Sequence, residues 1–286
     1  MPSRSPRIDA HHHVWDLARR PQPWTDQLPT LRRSFPMDEL IPQLQAHGID
    51  GSVVVQTVAS LDETYDLLSL AHHEPMVVGV VAWFDLPDPS LEATLARTAS
   101  TLGGRRLVGV RHQLQIEADP KWLMRRDVMR GLATLSRHGL AYDLVVSPEQ
   151  LPLVTSVVAR LPEVQFVLDH AGKPPIASGD LRDWSRDVRA LARHENVVVK
   201  LSGLVTEASW TGWSCDDLRP VVETVLDTWG ADRTMLGSDW PVCLLAEADY
   251  ARVTAAHDKL LAELSDTEQD ALRGGTARRV YRLEIA

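Results

Sequence analysis

Three consecutive histidines stand within residues 7–16, RIDAHHHVWD, and their setting matters more than their number. Ile8, the histidines and Val14 read as a short strand, along which side chains alternate between faces. His11 and His13 then project to one side and His12 to the other. Two imidazoles one residue apart on one face can grip a metal ion, or together hold one polar oxygen of a substrate. A purification-tag remnant would be longer and terminal, and a solvated surface cluster would not be fenced by apolar strand residues.

Other polar side chains fall where apolar runs end. The run GVRH carries Arg111 and His112, AYDL carries Tyr142 and Asp143, and LDHAGKP carries Asp169 and His170. KLSGL carries Lys200 and Ser202, GSDWP carries Asp239, and the run ending near Asp85 finishes in Trp83 and Phe84. A polar group at the end of a buried strand costs free energy unless it is paired. Any one of them reads as a satisfied core hydrogen bond; all of them at the same end of successive strands point to a site.

The elements that must position these residues are legible as apolar runs bounded by turn signals. Eight strands are expected over residues 7–13, 49–57, 76–85, 107–115, 140–146, 164–172, 197–203 and 234–241. Runs such as SVVVQ and VVVKL have the near-continuous apolar character of parallel strands covered on both faces. Helical periodicity fills each interval, and such alternation predicts a single α/β domain over residues 1–286, a (β/α)8 TIM-like barrel. Capping boxes are expected at Ser60/Glu63, Ser147/Gln150 and Ser265/Glu268. His47–Gly48 and His138–Gly139 read as helix ends, which makes those histidines structural.

Helix-to-strand links are short, whereas strand-to-helix links are long at residues 14–35, 116–123, 173–180 and 204–213. Long loops at the carboxyl ends of the strands form the active-site face of such a barrel. The first carries Trp15 and Trp24 and reads as a partial lid. The chain has nine tryptophans against three phenylalanines, and a few indoles are expected to line a site for a hydroxylated ligand, Trp24 among them. Residues 264–286 are expected to fold back as a helical closing element.

Composition narrows the function classes. At 286 residues, 44% hydrophobic and 24% charged, the chain can bury a sizeable core. A formal net charge of −9 argues against nucleic acid and against an anionic membrane surface. Cys215 and Cys243 have no ligand-like spacing, which fits a reducing compartment. Residues 1–7 precede no apolar stretch of the kind a signal peptide needs, and no window spans a bilayer, so a cytoplasmic location is expected. A homo-oligomer is left open.

DAHHHVWD, GVRH, LDHAGKP, KLSGL, GSDWP and the closing GGTARRVYRL together resemble the amidohydrolase superfamily, in its branch of sugar-acid and pyrone-dicarboxylate lactonases. The resemblance covers nearly the whole chain. It implies a (β/α)8 barrel that uses water to open an ester or lactone, with Asp239 as general base and His170 beside it. It also implies that His11, His13, His170 and Asp239 surround either the scissile carbonyl oxygen or a divalent metal. The chain departs from two-metal members at Arg111 and His112 on the fourth strand and Tyr142 and Asp143 on the fifth. Those members place a bridging lysine and a histidine there. One divalent ion, zinc in the first place, or no metal at all is implied.

The chemistry of the residues agrees. Lactone opening needs a deprotonated water, stabilisation of an oxyanion and a proton for the leaving alkoxide. A strand-end aspartate can move that proton, and imidazoles or an ion they hold can stabilise the oxyanion. Arg111 suits a substrate carboxylate or hydroxyl, and His112, Tyr142 and Trp24 are taken with it as substrate-binding. No Gly-x-Ser-x-Gly elbow is present, so a covalent route has no support. The expected substrate is a small lactone of the aldonolactone type. Alternatives are a carboxylated pyrone or muconolactone, a nonoxidative decarboxylation, and a binding barrel without chemistry.

Overall fold

The computed structural model describes residues 5–285; residues 1–4, on which part of the signal-peptide reading falls, and Ala286 lie outside the described residues. Eight strands pair in chain order as one parallel sheet. They are β1 (Ile8–His12), β2 (Gly51–Val55), β3 (Val77–Ala82), β4 (Leu107–His112), β5 (Ala141–Leu144), β6 (Phe166–Leu168), β7 (Val197–Leu201) and β8 (Thr234–Leu236). The sheet curls into a barrel and is drawn shut beyond the end of β8. There His12 bridges Trp240 in parallel, the His13 N–H donates to the Trp240 carbonyl at 2.7 Å, and the Asp239 N–H donates to the His11 carbonyl at 2.8 Å.

Helices α1 (Met37–Ala46), α2 (Leu61–His73), α3 (Leu91–Ala99), α4 (Arg126–Arg137), α5 (Leu151–Val158) and α6 (Arg182–Leu191) follow the first six strands. A single turn, α7 (Leu204–Glu207), interrupts the loop to α8 (Cys215–Trp229), and α9 (Tyr250–Leu260) follows β8. The Ser147 and Ser265 capping boxes form. At Ser60 only half of the box forms. Its Oγ accepts from the Glu63 N–H, but the Glu63 carboxylate turns inward to accept from the Thr57 and Val58 N–H groups. Gly48 and Gly139 adopt the left-handed conformation at helix ends, φ 63° and 69°. Beside them His47 bonds the Gln43 carbonyl and His138 meets Glu92, both away from the barrel lumen.

Strand alternation divides the core into two layers. Outward-facing residues such as Val54, Val80, Tyr142, Phe166, Leu168 and Val199 pack under the helices. Inward-facing Val53, Val55, Ala141, Val167, Val198 and Met235 fill the lower lumen. The closing segment forms α10 (Asp266–Asp270), a π-helical turn and α11 (Thr276–Tyr281), and it plugs the floor with Ala277, Val280, Tyr281 and Leu283. No helix among the described residues is long and apolar enough to cross a membrane.

Candidate active site

Two residues further along the strands that fill the floor, the inward positions change from apolar to charged. Ala141 gives way to Asp143, Val167 to Asp169 and Val198 to Lys200, with Arg111 joining from β4, and all four are buried. Lys200 Nζ lies 2.5 Å from Asp143 Oδ2 and 3.0 Å from Asp169 Oδ1, and Arg111 NH1 donates to Asp169 Oδ2 at 3.1 Å. From below, the Tyr281 hydroxyl donates to Asp143 Oδ2 at 2.6 Å. Two cations and two carboxylates thus form a neutral layer across the lumen. Burial pushes Asp143 up to about 6, partly opposed by Lys200 and reinforced by Asp169. At Asp169 burial acts the same way, but Lys200, His11 and Arg111 outweigh it and hold the carboxyl well below its usual range.

The histidines sit on this layer. His11 and His13 face the same space, with Nε2 atoms 3.2 Å apart, while His12 turns away to Ser52 Oγ at 3.0 Å. The phase is set by an irregularity in β1 between Asp9 and His12, which leaves both Ala10 and His11 facing inward. Asp9, facing outward, ties the start of the strand to the Ser238 N–H and the Tyr250 hydroxyl.

Protonation of the rings can be read from their partners. His13 Nδ1 donates to the Val55 carbonyl at 2.7 Å, which leaves Nε2 to face the site. His11 Nδ1 faces Asp169 Oδ1 at 3.3 Å, and Arg111 NH1, which can only donate, lies 3.4 Å from its Nε2. Lys200 Nζ is also 3.3 Å from Nδ1, with two of its three protons turned to Asp143 and Asp169. With the proton on Nδ1, His11 Nε2 is an acceptor, and Arg111 NH1 faces it. Burial lowers the basicity of His11 and of His170, which favours the neutral form that can ligate.

His170 and Asp239 come from the ends of β6 and β8. Both hold left-handed backbone conformations, φ 54° and 55°. His170 Nδ1 contacts Ser202 Oγ at 3.0 Å. Between the two side chains passes Gly203, where a Cβ would lie 2.6 Å from His170 Nδ1 and 2.8 Å from Asp239 Oδ2. Asp239 Oδ1 is buried without a hydrogen-bond partner, facing His13 Nε2 at 3.5 Å and His11 Nε2 at 3.7 Å. Burial favours the neutral carboxyl, but the surrounding imidazoles, His170 first, more than offset it and hold the pKa well below the usual carboxylate range.

A buried carboxylate oxygen without a partner, with imidazole nitrogens beside it, suits a cation. His11, His170 and Asp239 each offer a ligand atom, all within 4.8 Å of one another. This set fits a divalent metal ion. His13, expected in the same set, is not one of these three, although its Nε2 lies 3.2 Å from His11 Nε2 and 3.5 Å from Asp239 Oδ1.

Above these groups opens a cleft of about 300 Å³, lined in depth by His13, Arg111, His170 and Asp239. Its walls carry Trp24, Leu28, Gln113, Gln115, Lys173, Glu207 and Trp210. Trp24 and Arg111 thus line the cleft, although the Arg111 NH1 and NH2 groups are already engaged by Asp169 and the Gln56 carbonyl. His112 and Tyr142 do not, and the expectation for them is corrected. Val110, Arg111 and His112 pair in register with Tyr142, Asp143 and Leu144, so with Arg111 and Asp143 inward their neighbours must face out. His112 stacks on Trp122 and bonds Glu117, and Tyr142 packs edge-on to Phe166. The placement of Gly203, Lys173, Glu207 and Trp210 at the site escaped the sequence reading, because loop residues carry no periodic signal.

A family model for amidohydrolases matches residues 8–283. The chain belongs to the amidohydrolase family. This amidohydrolase is 42% identical over 289 residues to the L-fucono-1,5-lactonase of Burkholderia multivorans, covering 97% of the chain and 96% of that protein. It is 37% identical over 284 residues to the L-fucono-1,5-lactonase of Burkholderia ambifaria, with coverage of 97% and 96%. A crystal structure of an amidohydrolase from Burkholderia multivorans with bound zinc superimposes with a TM-score of 0.91 at 40% identity, covering 98% of this chain and 100% of that one.

Proposed function

We propose that this amidohydrolase opens a sugar-acid lactone to the free acid, with Asp239 as the base that activates water. The observation that carries the reading is the unpartnered Asp239 Oδ1, 3.5 Å from His13 Nε2 on the floor of the cleft. A water between these two acceptors donates a proton to each and turns its own lone pair toward a bound carbonyl. Asp239 takes the proton as the carbonyl is attacked and returns it to the ring oxygen as the ester bond breaks. His13 holds the water, its ring locked by the Val55 carbonyl. The neutral layer beneath keeps Nδ1–H of His11 on Asp169 and excludes bulk water from below.

The His11, His170 and Asp239 donors suit zinc, in line with the zinc-bound relative. When bound there, such an ion supplies Lewis acidity at the carbonyl and lowers the pKa of water. The two cationic side chains lining the cleft, Arg111 and Lys173, already face Asp169 and Glu207, which favours an uncharged lactone over a carboxylated pyrone. We place the activity in the cytoplasm.

The test is acid release from a panel of aldonolactones, L-fucono-1,5-lactone among them, followed with a pH indicator. Activity toward at least one is expected. Turnover of none overturns the reading. Dialysis against a chelator, with metal content measured in parallel, decides the zinc assignment: activity should fall with zinc content and return on its restoration. Full turnover in metal-free protein would leave Asp239 and the imidazoles as the whole apparatus.

A further inference from the structure

The loop after β7 builds one wall of the cleft from a single turn. Thr206, Glu207 and Trp210 all line the cleft, although the chain there is only α7 and the residues just after it. Trp210 is 45% exposed, and of the large apolar side chains exposed among the described residues it is the one that lines the cleft. Its indole N–H donates to the Thr206 carbonyl at 3.0 Å, which pins the ring and satisfies its only donor. Across the cleft the Trp24 N–H is likewise taken, by Gln22 Oε1 at 2.8 Å. Both indoles therefore have only apolar surface left to offer.

Beside Trp210, Glu207 Oε1 meets Lys173 Nζ at 3.2 Å, with both side chains about a quarter exposed. Lys173 holds the left-handed conformation, φ 55°, at the end of a turn in which His170, Ala171 and Gly172 do the same. A partly solvated ion pair adds little to stability, so the fold gives small reason for the pair there. The ammonium keeps two donors and the carboxylate several lone pairs beyond their mutual contact. An apolar indole surface next to a neutral set of donors and acceptors matches a pyranose-like ring, which has a C–H face and a rim of hydroxyls.

We propose that Trp210 and the Lys173–Glu207 pair form the specificity subsite, the indole covering the ring face and the ion pair reading a ring hydroxyl. This rests on the lactone reading above. The site distinguishes substrates through the hydroxyl because a lactone lacking it leaves polar groups of the pair unanswered. The indole covers the ring face rather than the bond that breaks, so it contributes to ground state and transition state alike.

The test uses the aldonolactone that the wild type opens fastest and its monodeoxy analogues, each missing one ring hydroxyl. Trp210→Ala should raise KM about tenfold, with most of the loss in kcat/KM appearing in KM. Trp210→Phe should recover most of it and also serves if the alanine variant does not fold. In the wild type at least one monodeoxy analogue should be about tenfold poorer in kcat/KM, and in Glu207→Gln that gap should close to about twofold. A loss in kcat alone for the Trp210 variants, or the same gap for every analogue in both proteins, overturns the subsite while leaving lactone hydrolysis intact. Failure of the wild type on every aldonolactone overturns both.

Discussion

Asp239 and His170 both sit in a backbone region that residues with a Cβ occupy at a cost, and both point at the same small space. Strain of this kind persists where the surroundings over-determine it, as they do here through Gly203 and the closing bonds to β1. Asp239→Asn keeps the shape and removes the base, so kcat should fall about 10²-fold or more with the unfolding midpoint nearly unchanged. Gly203→Ala adds one carbon where no space exists between the two side chains. The left-handed φ of 62° costs about 1 kcal/mol in stability, whereas displacement of either side chain should cost at least about tenfold in activity. Near wild-type turnover in either variant, by the lactone assay, would remove these residues from the mechanism. Asp239, His170 and the HxH pair were legible because each ends an apolar run. Gly203 was not, since a glycine in KLSGL reads as an ordinary turn until the two side chains flanking it in space are known.

At the scale of the strands, alternation does most of the arranging. Ala141/Asp143, Val167/Asp169 and Val198/Lys200 step from apolar floor to charged layer by the same two-residue period. Lys200→Met leaves Asp143 and Asp169 buried without their shared cation. Loss of one partner from a buried set of this kind destabilises by about 3–5 kcal/mol. The urea midpoint should fall accordingly, and Asp143→Asn in the same chain should recover part of the loss. An unchanged midpoint for Lys200→Met would mean that water reaches the layer. The eight strands were readable from their apolar runs, and the register between β4 and β5 was not. Without it Tyr142 and His112 looked as ready to face the cleft as Arg111, and only the pairing decides which neighbour turns in.

The molecule as a whole carries an acid sensitivity separate from catalysis. His257 on α9, half-buried, is lowered to about 4 by desolvation and by the nearby Arg273, with Asp258 opposing. Its ordinary value is 6.5, so between about pH 6.5 and 4 the unfolded chain binds the proton that the folded one refuses. Stability from this group is whole above that window and is lost as pH falls through it. His257→Gln should flatten the decline in Tm across the window by a few degrees, of the order of 1 kcal/mol, relative to the wild type. An identical Tm profile for both proteins would place the acid sensitivity elsewhere.

The floor of the barrel has a consequence for biosynthesis. A ribosome delivers Asp143, Asp169 and Lys200 long before Tyr281, whose hydroxyl binds Asp143 and whose ring helps close the lumen. Until that helix arrives, a nascent barrel with all its strands in hand has an open base beneath a layer of charge. The bond between residues 138 positions apart in the chain is thus among the last that translation permits. Contacts of such sequence separation are slow to form and leave apolar surface exposed meanwhile. A chain stalled before α11 should therefore be a client for chaperones, with a catalytic face already complete in sequence but without a base.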